Sequence, residues 1–194
     1  NFWSVSGMWH LGAEDFMKAV KPVLSDVKIR ASYGVNGNQP GSYYGYMGLY
    51  SYGKNYMDNP GSYESTQANP NLKWEKNYNM NLGLDLAFID RIFVTLEYYN
   101  RDTKDLLYNR PISATTGFLN YLGNLGQLNN KGVELEVRSL NISNADFNWT
   151  TVLNLTHNEN KIVALDGNLD QVVESSWFIR KIGLPFNTFY VKEF

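Results

Sequence analysis

Histidine is the side chain best suited to proton transfer near neutral pH, and the sequence has two, His10 and His157. They lie far apart, each within a stretch of alternating residues. Neither has a cysteine, a serine elbow or a convincing pair of carboxylates to work with. Both read as structural, no enzyme activity is expected, and no cofactor is called for. The segment Asp166-Gly167-Asn168-Leu169-Asp170 begins like a calcium loop. Gln171 stands where the sixth-position glycine belongs, and Trp177 where the twelfth-position glutamate does, so it reads as ordinary loop. Sequons at Asn141, Asn148 and Asn154 are a chance product of 24 asparagines.

Binding is the chemistry that remains. Tyr43, Tyr44, Tyr46, Tyr50, Tyr52, Tyr56 and Tyr63 lie among glycines between positions 38 and 63, offering flat faces for sugars or peptides and hydroxyls for hydrogen bonds. The plainer reading is that they stiffen a long loop. Phe118, Tyr121 and Asn124 form a second candidate group. A third set, Lys28, Arg30, Glu134, Glu136 and Arg138, alternates with apolar residues. These charges either line a path or simply keep a polar face hydrated.

Composition narrows what can position these groups. Of 194 residues, 43% are hydrophobic, 15% aromatic and only 19% charged, and cysteine is absent. A disulfide framework and a cysteine-ligated metal are excluded. A net charge of -2 gives no electrostatic footprint for nucleic acid. No run approaches the roughly 18 apolar residues of a spanning helix. A membrane-spanning strand, in contrast, shows lipid only every second side chain, so a barrel can be polar on average. The N-terminus carries no visible signal peptide, and both ends read as interrupted.

Alternation dominates the chain. Val27, Ile29, Ala31, Tyr33 and Val35 share one face against Asp26, Lys28, Arg30, Ser32 and Asn36, the two-residue period of a strand. The same pattern recurs over residues 74–88, 92–101, 133–138 and 147–155, more weakly over 3–11, and a seventh strand is expected near 178–191. Residues 74–88 would span on the order of 50 Å at about 3.3 Å per residue. Short turns, at 89–91 and 141–146, alternate with long connections at 37–71, 109–130 and 165–178. A helical turn is expected over 14–20, ended by Pro22. Aromatic residues near strand ends, among them Trp3, Trp9, Trp74, Tyr98 and Trp149, suit interfacial girdles. The fold class expected is all-β, a set of antiparallel transmembrane barrel strands. Two alternatives stand beside it: a secreted soluble β-sandwich that binds carbohydrate, and a small autonomous eight-stranded barrel. Against the latter, Lys192 interrupts the terminal apolar alternation ahead of Phe194.

Four ordered motifs carry a resemblance. Leu24-Ser25-Asp26-Val27-Lys28-Ile29-Arg30-Ala31-Ser32-Tyr33-Gly34-Val35-Asn36-Gly37-Asn38-Gln39 is the first. Asn69-Pro70-Asn71-Leu72-Lys73-Trp74-Glu75 follows, then Tyr98-Tyr99-Asn100-Arg101-Asp102-Thr103-Lys104-Asp105-Leu106-Leu107, then Asn130-Lys131-Gly132-Val133-Glu134-Leu135. In order and spacing they resemble the SusC/RagA family of TonB-linked outer-membrane transporters. The resemblance implies part of a large 22-stranded barrel in the bacterial outer membrane, with residues 1–194 a partial barrel domain lacking the plug domain and TonB box. It implies partners as well: outer-membrane lipid, TonB through regions outside this sequence, a SusD-like surface lipoprotein, and an oligosaccharide or peptide substrate. The tyrosine-rich loop would then face ligand or lipoprotein, and the third set of charges would line the lumen.

Overall fold

The structure is a computed structural model, and it describes every residue except 125, 166–168, 174–176 and 192–194. Among the described residues the chain runs through β1 (Ser4–Trp9), β2 (Leu24–Asn38), β3 (Tyr50–Tyr52), β4 (Ser62–Glu64), β5 (Glu75–Phe88) and β6 (Ile92–Lys104). It continues through β7 (Leu107–Pro111), β8 (Asn120–Asn124), β9 (Gly126–Ser143), β10 (Asn148–Leu165), β11 (Gln171–Val173), β12 (Phe178–Lys181) and β13 (Thr188–Phe189). The long strands form one sheet in the order β1-β2-β5-β6-β9-β10. Pairs β3-β4 and β7-β8 and the triplet β11-β12-β13 are separate small sheets. No helix among the described residues is long and apolar enough to cross a membrane, which says nothing about strands.

The chain divides into two compact units. The first comprises Asn1–Asn36, Tyr78–Arg101 and Asn130–Glu159; the second comprises Gly37–Asn77, Asp102–Asn129 and Asn160–Phe194.

The first unit has tight turns and almost no core. At residues 88–91 the Arg91 amide donates to the Phe88 carbonyl at 2.9 Å, and both central residues, Ile89 (φ 51°) and Asp90 (φ 52°), are left-handed. Such primed hairpins usually take Asn-Gly. Here the neighbouring strand supplies the support, because Ile89 N donates to the Val23 carbonyl and Asp90 N to Ser25 Oγ. The second turn is shorter than the sequence suggested: β9 runs on to Ser143, and residues 144–147 close it through Asn144 N to the Phe147 carbonyl. The expected helical turn is a pair of 3-10 turns, Leu11–Ala13 and Asp15–Met17. Its continuation passes Pro22, since the Val20 carbonyl still accepts from Val23 and Leu24.

Burial in this unit speaks against the β-sandwich. Val27, Val35 and Ala87 are buried, yet Ile29 on the same face of β2 is 42% exposed, and Trp149, Leu153 and Leu155 on β10 exceed 50%. A β-sandwich would bury that face against a second sheet. Here it lies open, as a lipid-facing wall does.

The second unit corrects several expectations. The long connection expected at 109–130 runs from the end of β6 at Lys104 to the start of β9 at Gly126, and it is folded: β7 pairs with β8 from Leu107↔Asn124 to Pro111↔Asn120. The stretch 37–71 contains the β3-β4 hairpin. Residues 178–191 are no single long strand but β12 and β13, which pair across a turn. Trp74 precedes β5 rather than opening it. The calcium-like segment and the terminal Lys192 and Phe194 fall wholly or partly outside the described residues, as does part of the connection 165–178.

Candidate functional site

Strand alternation assembles the polar face of the first unit. The register Ser4↔Gly34, Ser6↔Ser32 and Met8↔Arg30 puts even positions of β1 and β2 on one side. Arg30 is the centre of that side. Its Nε donates to Asp85 Oδ2 at 2.8 Å, and its Nη2 to Asp85 Oδ1 at 3.1 Å and Glu97 Oε1 at 2.6 Å. Thr95 Oγ1 donates to Asp85 Oδ1 as well. Arg30 is on β2, Asp85 on β5 and Glu97 on β6, so the guanidinium must cross β5. It does so over Gly83, where a Cβ would stand 3.0 Å from Arg30 Cζ.

Two strands further on, the same device recurs. Tyr99 on β6 donates its hydroxyl to Asn158 Oδ1 on β10 at 3.1 Å, crossing β9 over Gly132. A Cβ on Gly132 would lie 2.6 Å from the tyrosine oxygen and 2.6 Å from the His157 carbonyl oxygen. Glycine is required there by close approach rather than by backbone angle. Smaller bonds complete the face: Arg101 Nε to Asn79 Oδ1 at 2.7 Å and Asn81 Nδ2 to Ser32 Oγ at 3.3 Å. A shallow groove of about 440 Å³ lies between them, lined by Ser4, Ser6, Ser32, Asn79, Arg101 and others of this face.

Of the charges singled out from sequence, Arg30 thus sits in a shared network, and Lys28 pairs with Asp26 at 2.7 Å. Asp26 also holds His10 through its ring Nε2. Glu134, Glu136 and Arg138 are exposed and share the parity of Gly132, hence the side on which Tyr99 lies. Sequence reading did not single out Asp85, Glu97, Tyr99, Gly83 or Gly132. The signal that could have found them is opposite charge, or a tyrosine beside a glycine, at polar-face positions of successive strands.

In the second unit the tyrosines are displayed. Tyr43, Tyr52 and Tyr56 are 85%, 82% and 76% exposed, and Tyr44, Tyr46, Tyr50 and Tyr63 are exposed too. The pairing Tyr50↔Glu64 and Ser51↔Tyr63 sets Tyr50 and Tyr52 on one side of the hairpin and Tyr63 on the other. Two asparagines tie the loops together. Buried Asn69 donates its amide to the Leu122 carbonyl and accepts from Asn71 N. Asn124 donates to the Lys73 and Asp105 carbonyls and accepts from Lys73 N at 2.7 Å. Its donors are thereby committed to backbone. Tyr121 faces Arg110 across β7-β8.

These ties bring the two candidate loops to one cleft of about 570 Å³. Leu49, Tyr63 and Glu64 line it from one segment, and Phe118, Leu119 and Leu122 from the other. Tyr43 and Tyr46 line a separate groove of about 360 Å³ with Pro40, Pro70, Leu72 and Trp74. Elsewhere in this unit Arg180 is buried between the rings of Tyr108 and Phe186, at 4.4 and 3.6 Å from their centroids, a cation–π sandwich that helps anchor β12.

Comparison with known proteins agrees with this architecture. The family model described as TonB dependent receptor-like, beta-barrel, matches residues 2–186. TonB-dependent receptor P3 of Formosa agariphila is 36% identical over 174 residues, covering 87% of this chain and 17% of that protein. TonB-dependent receptor SusC of Bacteroides thetaiotaomicron is 36% identical over 211 aligned positions, covering 98% of this chain and 21% of that protein. Among solved structures, the RagAB peptide transporter superposes with a TM-score of 0.88 at 30% identity, covering 97% of this chain and 21% of the matched one. The chain therefore spans about a fifth of the length of these relatives.

Proposed function

The chain belongs to the TonB-dependent receptor-like β-barrel family, and from that membership we propose that it is part of the barrel wall of a SusC/RagA-like importer in a bacterial outer membrane. The whole protein would take up an oligosaccharide or peptide with energy delivered through TonB, its plug and TonB-contacting regions lying outside these residues. A SusD-like surface lipoprotein would cover the loop side. The observation that carries this reading is the two-faced sheet. One side exposes Trp9, Trp149, Leu153 and Leu155, which suits lipid, and the other carries Ser, Asn, Gly and charged residues, among them the Arg30, Asp85 and Glu97 cluster, which suits a wet lumen.

The residues then take distinct roles. Arg30 offsets one of the two carboxylates it holds, on Asp85 and Glu97, so the cluster keeps the wall hydrated while its net charge is reduced. The exposed tyrosines of 43–63 face ligand or lipoprotein. Of the two substrate classes, peptide is the one that the structurally similar RagAB importer takes.

The test is uptake by the full-length protein in its native membrane, with oligosaccharide and peptide substrates offered separately. Uptake that disappears when either the protein or TonB is deleted supports the proposal. Uptake that persists without TonB overturns it. Changing Tyr44 and Tyr46 to Ala with no effect on uptake or lipoprotein binding would reduce that loop to scaffold.

A further inference from the structure

The cleft between residues 42–67 and 109–122 has a chemistry of its own. Its walls present three leucines, Leu49, Leu119 and Leu122, together with Phe118 and Tyr63. Leu119 is 71% exposed and Leu49 39% exposed, so apolar surface inside the cleft lies open to solvent, as at a binding surface. Among these side chains the lining also carries the amides of Gln67, Asn109 and Asn120, which can bond to the N–H and C=O groups of an extended peptide. Aliphatic walls match aliphatic side chains.

The polar groups narrow the ligand further. Ser65 Oγ donates to the Leu49 carbonyl, and Thr66 Oγ1 accepts from Leu49 N and donates to the Met47 carbonyl, so both hydroxyls serve the loop's own backbone. Glu64 is the one charged residue of the lining, and no lysine or arginine stands among the cleft residues. An acidic ligand would meet an uncompensated carboxylate. A basic one would meet its counter-ion.

We propose that this cleft binds an extended peptide segment in which a lysine or arginine lies next to an aliphatic residue, the cation reaching Glu64 and the aliphatic side chain seated against Leu119 and Leu122. The proposal rests on the importer reading and goes beyond it by naming the substrate class and the residues that select it. Glu64 is exposed, so the ion pair selects rather than anchors. A preference of about fivefold is the scale such a pair supports.

The experiment uses the full-length protein with its lipoprotein, purified in detergent. Two fluorescent hexapeptides are compared that differ only in carrying Lys-Leu or Glu-Leu at the centre. The lysine peptide is expected to bind about fivefold more tightly, with Glu64→Gln abolishing the difference and Leu119→Ser weakening both. An unchanged preference in Glu64→Gln overturns the proposal. So does loss of lipoprotein co-purification in Leu119→Ser with peptide affinity intact, because the cleft would then be a lid contact. Binding of a neutral oligosaccharide with no binding of either peptide overturns it too, while leaving the importer reading standing. That wider reading falls separately, through TonB-independent uptake.

Discussion

The long strands of the sheet and the segments that join them use the same residue types in opposite ways. In the first, asparagine amides bond to other side chains: Asn79 to Arg101, Asn81 to Ser32, Asn158 to Tyr99. In the second, Asn69 and Asn124 bond to backbone, reaching Leu122, Lys73 and Asp105. The cause is where the backbone's own hydrogen bonds go. In a sheet the ladder already pairs every interior N–H and C=O, so a side-chain amide can serve only another side chain. Between strands those groups are orphaned, and the short amide of asparagine completes them. Tyrosine divides the same way: Tyr99 is strapped across a strand, whereas Tyr43 and Tyr52 stand in solvent. A wall is held by side-chain straps, a loop layer by side chains acting as backbone.

Substitutions in the full-length protein would break or sharpen that contrast. The largest effect is expected at Gly132→Ala. The new methyl would meet both the Tyr99 hydroxyl and the His157 carbonyl, costing about 3 kcal/mol by overpacking. The loss of heat resistance of the folded barrel on gels measures it, and wild-type resistance would show that the strap is ornamental. Next comes Asn124→Ala, which orphans the Lys73 and Asp105 carbonyls and the Lys73 amide. About 2 kcal/mol is expected, confined to the loop layer. Amide exchange should therefore speed up near residues 73 and 105 while the wall stays protected; an equal rise in both units would contradict the division of labour. Arg30→Ala should cost about 1 kcal/mol, since its partners are part-exposed and screened, with the added sign that Glu97→Gln restores some stability by removing a carboxylate left unpaired. Tyr52→Ala should change stability by less than about 0.5 kcal/mol and, if it changes anything, change binding.

The wall was largely legible because alternation is a local signal. Val27 and Val35 were placed on one face of β2 from spacing alone, and both are buried. The 18-residue lengths of β9 and β10 were not. Gly126 to Asn130 and Thr156 to Asn160 carry no apolar alternation, and their extension is imposed by the strands beside them. The hairpins β3-β4 and β7-β8 escaped for a related reason: strands of three and five residues are too short to show a period. As for the sites, Arg30 could be named but Asp85 and Glu97 could not, because the strand order that sets them side by side is non-local. The convergence of Tyr63 and Phe118 on one cleft was equally hidden. It depends on Asn69 reaching Leu122, a contact that no spacing announces.

Straps that cross a strand also measure it. Arg30 reaches Glu97 only if β5 presents Gly83 at the crossing point. A slip of β5 by two residues keeps every face correct and every ladder bond possible, yet it would push Asn81 or Asp85 under the guanidinium. Tyr99 interrogates β9 in the same manner at Gly132. Each glycine is thus a notch over which a side chain of the neighbouring strand can pass, to reach the strand beyond, only when the strand that carries the glycine is aligned. In a barrel that adds strands in succession, such notches would let each newly added strand be checked by the one after it, so that misaligned intermediates stay open and free to retry.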